Sequence, residues 1–187
     1  AGRDTPENRY GYAVALANLD QNDQALAALQ PVIDQYPKQP NVALLQAQIL
    51  AQSGKSADAM AVYARNLANF PRYAPGILKY AEALINAGKP DDARQLLITH
   101  DQALGNRIDA ARLLSVAARA RGNTAEAQYQ YANYLFGRGD LRGAIEQLNA
   151  GLRVASITDD DRARLLARRK QLIDTIPKDQ LKALQRG

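Results

Sequence analysis

Residues 52–60 read QSGKSADAM and residues 86–94 read NAGKPDDAR, nearly the same phrase 34 residues apart. Gly54-Lys55-Ser56 suggests a phosphate-binding loop, but such a loop needs a second glycine five residues before the first, and that position holds Ile49. The loop also follows a strand, whereas residues 42–53 (VALLQAQILAQS) are rich in Ala, Leu and Gln and read as helix. The phrase therefore marks a structural joint between helices.

Aligned on the glycine, five phrases appear: NLDQNDQAL (18–26), QSGKSADAM (52–60), NAGKPDDAR (86–94), ARGNTAEAQ (120–128) and GRGDLRGAI (137–145). The first four keep a period of 34 residues, which is that of a helix–turn–helix repeat. Gly54, Gly88, Gly122 and Gly139 follow a helix where the chain turns through a left-handed conformation, and Asp20 takes that place in the first copy. Five residues on come Ala25, Ala59, Ala93, Ala127 and Ala144, faced from the first helix by Ala13, Ala47, Ala81, Ser115 and Ala132. Small side chains at both places let the paired helices approach closely. Leu16, Leu50 and Leu84 on first helices, and Leu29, Tyr63, Leu97 and Tyr131 on second helices, supply the bulk between them. Pro37 and Pro71, again 34 apart, end the second helices of the first two copies.

These positions resemble the tetratricopeptide repeat (TPR) over about residues 6–155. The expected fold is all-α, a TPR-type helix–turn–helix solenoid spanning residues 1–187 as one domain. Repeats fall at about 6–39, 40–73, 74–107 and 108–138. The fifth phrase follows the fourth by half a period, so a fifth motif at about 125–155 overlaps the fourth repeat. The helix at about 124–137 is then second in one pair and first in the next, a half-repeat slip near the C-terminal end. Helices are expected near 7–19, 22–35, 41–53, 56–69, 74–87, 90–103, 107–121, 124–137, 140–154 and 159–174. The last is a capping helix, as an open solenoid end requires. Thr158 caps it and Asp159, Asp160 and Asp161 suit its positive end. Leu165, Leu166, Leu172 and Ile173 form its apolar stripe, Arg164 and Arg168 its opposite face, and Arg162 and Arg169 are expected to snorkel.

Composition agrees with an all-helical protein. Ala and Leu dominate the apolar 47%, and no apolar run approaches the length of about 18 residues that a membrane span needs. Zero cysteines excludes disulfides, thiolate metal sites and a cysteine nucleophile. His100, the single histidine, has no second nitrogen or sulfur ligand to join it and reads as a helix-terminal residue. Neither H-E-x-x-H nor G-x-S-x-G nor a glycine-rich dinucleotide motif occurs. Asp91-Asp92 opens a helix, where dipole complementarity explains it. No catalytic residue, metal ligand or cofactor site is expected in this segment. The opening AGRDTPENRY reads as part of a longer chain, with targeting information elsewhere.

The net charge of +5 is uneven: residues 106–187 hold 15 Lys/Arg against 9 Asp/Glu, and residues 1–105 hold 9 against 10. This suggests an acidic partner for the C-terminal part or simply a solvated face. Specific nucleic-acid binding is not expected, since no aromatic follows Phe136 to stack on bases among the eight basic residues between 162 and 186.

The TPR resemblance implies that first helices line a groove, with the second, fifth, ninth, twelfth and thirteenth motif residues facing inward. From starts at Pro6, Pro40, Ala74 and Ile108 the candidate partner-binding residues are Tyr10, Asn18, Gln48, Gln52, Glu82, Asn86, Arg112 and Arg119, with Leu44 and Leu78 beside them. The shared helix adds Tyr129, Asn133 and Phe136. Amides suit extended backbone because they donate and accept together, and Tyr and Arg are frequent interface anchors. The expected partners are proteins or extended peptides. Members that clamp chaperone C-termini carry Lys and Asn where this chain has Tyr10 and Val14, which argues against that role.

A further resemblance is carried by RYGYAVAL (9–16), EQLNAGL (146–152) and DDRARLLARRKQL (160–172). These stretches are similar to the C-terminal TPR region of periplasmic zinc metalloproteases related to the β-barrel assembly-enhancing protease. The resemblance implies a periplasmic location, an N-terminal protease domain holding zinc outside this segment, and outer-membrane proteins and their assembly machinery as partners. An alternative reading is a TPR scaffold domain of a non-enzymatic multidomain bacterial protein, and a third is a solenoid attracted to anionic surfaces through its basic end.

Overall fold

The computed structural model describes residues 4–105 and 107–175. Lys178, Lys182 and Arg186 of the basic C-terminal stretch lie outside them. The chain divides into two compact units, Ala1–Gly105 and Asn106–Gly187. Among the described residues all regular structure is helical.

The N-terminal unit contains α1 (Pro6–Asn18), α2 (Asn22–Gln35), α3 (Pro40–Gln52), α4 (Ser56–Asn69), α5 (Ala74–Asn86), α6 (Pro90–Thr99) and the short α7 (Asp101–Leu104). The C-terminal unit contains α8 (Ile108–Ala120), α9 (Thr124–Gly137), α10 (Leu141–Leu152) and α11 (Asp159–Asp174). Proline opens α1, α3 and α6 at or next to the first helical position, where its missing N–H has no partner to lose.

The five repeated joints adopt one geometry. Gly54, Gly88, Gly122 and Gly139 have φ between 72° and 83°, and Asp20 has φ 57°. The residue after each turn donates back to a carbonyl five residues earlier: Gln21 to Leu16, Lys55 to Leu50, Lys89 to Leu84, Asn123 to Ala118 and Asp140 to Leu135, all at 2.9–3.0 Å. This is the Schellman closure that a left-handed residue makes possible. The small residues that flank the joints are all buried, from Ala13 and Ala25 to Ala132 and Ala144.

In the N-terminal unit each first helix packs on its second helix, and α3 also lies against α1 and α5, so the first helices form one layer. Its core is continuous from Leu16, Leu29 and Val32 to Val42, Leu45 and Ile49. Pro37 and Pro71 stand two residues beyond α2 and α4, as expected. Pro31 inside α2 is exposed, so the carbonyl its ring leaves unbonded faces water.

One expected element breaks. The helix anticipated at 90–103 ends at Thr99, and His100 (φ −104°, ψ 20°) separates it from α7. The His100 ring Nδ1 lies 3.1 Å from the Pro71 carbonyl oxygen of the preceding repeat. This tertiary contact accompanies the break, and the position of His100 at the end of α6 agrees with its helix-terminal reading.

In the C-terminal unit α9 packs against both α8 and α10. Towards α8, the Ser115 hydroxyl donates to the Ala127 carbonyl at 2.9 Å; towards α10, Ala132 and Ala144 share one core with Leu148, Leu165 and Leu172. The helix serves in two pairs, one small residue for each. α11 covers α10 and touches α9. Its cap forms as expected, with Asp161 N–H donating to Thr158 Oγ1 at 3.1 Å. Its stripe is narrower than expected: Leu165 and Leu172 are buried, whereas Leu166 is 43% exposed.

Candidate functional site

In the N-terminal unit, Asn18, Gln52 and Asn86 are the last residues of α1, α3 and α5, and all three are exposed. Equivalent repeat positions thus place three amides along one edge of the first-helix layer. Gln48 is half-buried near the middle of α3, and Glu82 is half-buried on α5, paired with Lys79 at 2.8 Å. Tyr10 is half-buried, and burial pushes its phenol pKa up against a hydrogen bond with Asn41 that pulls it down. It lines a cavity of about 270 Å³ with Pro6, Glu7, Val32, Tyr36 and Asn41. A second cavity of about 300 Å³ shares Tyr36 and Val42 with the first and is bordered by Arg65, Asn69 and Phe70. Leu44, which motif position places in the groove, belongs instead to the core, 9% exposed among Ala47, Leu50 and Tyr63.

In the C-terminal unit, Arg112 is half-buried on α8 and Arg119 is exposed in its last turn. Tyr129 and Asn133 of α9 are half-buried, and side chains of α11 engage both of them. Arg164 ion-pairs with Glu126 and sets its guanidinium carbon 4.5 Å from the Tyr129 ring centre. Arg168 Nε donates to Asn133 Oδ1 at 2.8 Å, and its guanidinium carbon stands 5.1 Å from the Phe136 ring centre.

This corrects the expectation that Arg164 and Arg168 occupy the face of α11 away from its contacts. Leu165 and Leu172 seat α11 on the core cluster, and from there the two long arginines reach back to α9. Arg169 also departs from expectation: it finds a partner, donating to Asn149 Oδ1 at 2.9 Å, instead of snorkelling. Sequence reading missed Glu126, 8% exposed, although it stands at an inward motif position. The available signal was the i, i+4 arginine pair facing aromatics on a helix already assigned to the groove.

Among the described residues, no group of three or more His, Cys, Asp or Glu side chains is placed to hold a metal ion. Among them, too, no helix is long and apolar enough to cross a membrane.

The profile of the tetratricopeptide repeat family matches residues 3–49 and 50–115. No curated protein matches the sequence. Among solved structures, MamA from Desulfovibrio magneticus RS-1 is similar at 14% identity and a TM-score of 0.63, over 100% of both chains. PilW, a widely conserved type IV pilus biogenesis factor, aligns at 14% identity and a TM-score of 0.66, over 95% of this chain and 82% of its own. A thermophilic TPR protein from Thermus thermophilus aligns at 18% identity and a TM-score of 0.57, over 87% of this chain and 98% of its own. At these identities the likeness is one of fold.

Proposed function

The chain belongs to the tetratricopeptide repeat family, and from that premise we propose that it is the substrate- or complex-docking domain of a periplasmic zinc metalloprotease and chaperone acting in outer-membrane protein assembly quality control. Tetratricopeptide repeats mediate protein–protein interaction; the protease parent and the client class are the finer part of the proposal. The observation that carries the docking role is the first-helix layer of the N-terminal unit. It presents the exposed amides of Asn18, Gln52 and Asn86 along one edge, with Tyr10, Gln48 and Glu82 earlier on the same three helices. Paired donors and acceptors of this kind suit an extended backbone, and the cavity beside Tyr10 has room for an apolar side chain.

Support for the parent comes from the residues 9–16, 146–152 and 160–172 that resemble periplasmic metalloproteases. Zinc would then reside in the protease domain and not on these repeats. The client would be an outer-membrane protein, extended before its barrel closes.

The test uses the natural protein in full. Purified from periplasm, it should hold about one zinc per chain by elemental analysis and bind an unfolded outer-membrane β-barrel precursor. Replacing Gln48 and Gln52 by alanine should weaken that binding at least tenfold with the zinc retained. A zinc-free protein would place these repeats in a non-enzymatic scaffold, and undiminished binding by the double variant would overturn the docking face.

A further inference from the structure

The face of α9 turned towards α11 carries Glu126, Tyr129, Asn133 and Phe136, and all four are engaged by two residues of α11. Arg164 meets the Glu126 carboxylate and the Tyr129 ring; Arg168 meets the Asn133 amide oxygen and the Phe136 ring. On α9 each guanidinium therefore finds one polar acceptor and one aromatic face, a pairing that a flat, delocalised cation fits better than a compact ammonium does. The two rungs repeat after seven residues on α9 and four residues on α11.

Apart from these rungs few side chains hold α11, Arg169 donating to Asn149 of α10 among them. Of its sixteen residues, Leu165 and Leu172 are the buried ones. Its helix is supported locally, by the Thr158 cap, by Asp161 beside Arg164 at 3.7 Å, and by Gln171 accepting from Arg168 Nη1 at 2.5 Å. Departure of α11 strands no buried cation, since the Arg164 side chain is 47% exposed even when docked, and it returns Glu126 to water. A plain end cap needs apolar cover; two matched arginine rungs add recognition chemistry to it.

We propose that this α9–α10 face is a binding site for an amphipathic helix carrying two leucines seven residues apart and two arginines four residues apart, that α11 is its resident occupant, and that a partner helix of this chemistry binds by displacing it. The proposal rests on the reading that inward-facing repeat residues are docking surfaces, and it assigns Tyr129 and Asn133 a partner class of their own.

The probe is a synthetic peptide of residues 159–174, and the receptor is the full chain with R164A and R168A, which loosens the resident helix. The tethered α11 of the wild type competes at an effective concentration in the millimolar range. Fluorescence anisotropy should show the peptide binding the loosened chain at least tenfold more tightly than the wild type. A peptide with alanine at both arginine positions should lose at least tenfold, and adding Y129A and N133A to the receptor should abolish binding. Should the alanine receptor lose helicity by circular dichroism, R164K with R168K replaces it, keeping both charges without the flat stacking surface. Equal affinity for wild type and a folded loosened chain, or no binding to the latter, would overturn the proposal and leave α11 a structural cap. Weakened client binding through Gln48 in the other unit would not alter this result, so the two readings fail separately.

Discussion

Arg168 on α11 reaches back to Asn133 on α9, Nε to Oδ1 at 2.8 Å, and this contact engages an inward-facing, half-buried residue of the C-terminal unit. Its companion Arg164 does the same for Glu126 and Tyr129. Surface ion pairs are usually worth less than about 1 kcal/mol, but here one partner, Glu126, is largely buried, with 10% side-chain exposure. A double-mutant cycle of Glu126→Ala and Arg164→Ala, read by denaturant unfolding, should give a coupling of about 1–2 kcal/mol. A coupling near zero would mean that the Glu126–Arg164 pair does not help to hold α11.

Gly137 ends α9 where a side chain has no room. A Cβ there would stand 2.1 Å from Ile108 Cγ2. In an open helix Gly→Ala gains about 1 kcal/mol, but overpacking costs about 1–3 kcal/mol. Gly137→Ala should therefore lower the melting temperature, and adding Ile108→Ala should recover part of the loss. A stabilised single variant would contradict the close approach of α8 and α9.

Asp20 is the one non-glycine at a left-handed joint, with φ 57°. Its four counterparts are glycines. A left-handed conformation costs an ordinary L-residue about 1–2 kcal/mol, and somewhat less for aspartate. Asp20→Gly should raise stability by about 0.5–1 kcal/mol, measured as the midpoint of urea unfolding. An unchanged or lowered midpoint would show that Asp20 contributes there beyond filling the turn.

Tyr63 is 3% exposed and stacks on Tyr80 with ring centres 5.6 Å apart. Burial, and secondarily the Glu82 charge, push its phenol up to about 12. An unfolded tyrosine ionises near pH 10, so the unfolded chain releases this proton first. The contribution is fully present below pH 10 and is lost as pH rises towards 12, by about 2–3 kcal/mol. Tyr63→Phe should flatten that fall. Part will remain, because burial also raises Tyr10, Tyr73 and Tyr80. A wild-type protein equally stable at pH 9 and pH 11.5 would contradict the buried neutral phenol.

The joints were legible in the sequence because their chemistry is local. A left-handed turn demands Gly or Asp, and a close helix pair demands Ala or Ser, so Gly54 and Ala59 announce themselves without knowledge of the rest of the fold. The shared helix was legible for the same reason, since Gly122 and Gly139 stand half a period apart. The break at His100 was not, because the Pro71 carbonyl it meets lies 29 residues away. Nor was the direction of Arg164 and Arg168. A helical wheel sorts residues into apolar and polar faces, and it assigns the polar one to water when a neighbouring helix can equally accept it. At Leu44 the motif pointed to the groove and the core of the second repeat claimed the side chain.

The central claim is that the first-helix layer of the N-terminal unit binds an extended client. The most direct measurement places a photo-activated cross-linking residue at Gln48 of the natural full-length protein, or at Asp34, which is exposed on the second helix α2. Each is mixed with a purified, unfolded outer-membrane β-barrel precursor. The account predicts efficient cross-linking from position 48, suppressed by excess unlabelled precursor, and at least tenfold less from position 34. Equal yields at the two positions, or a yield at position 48 that excess precursor leaves unchanged, would contradict it.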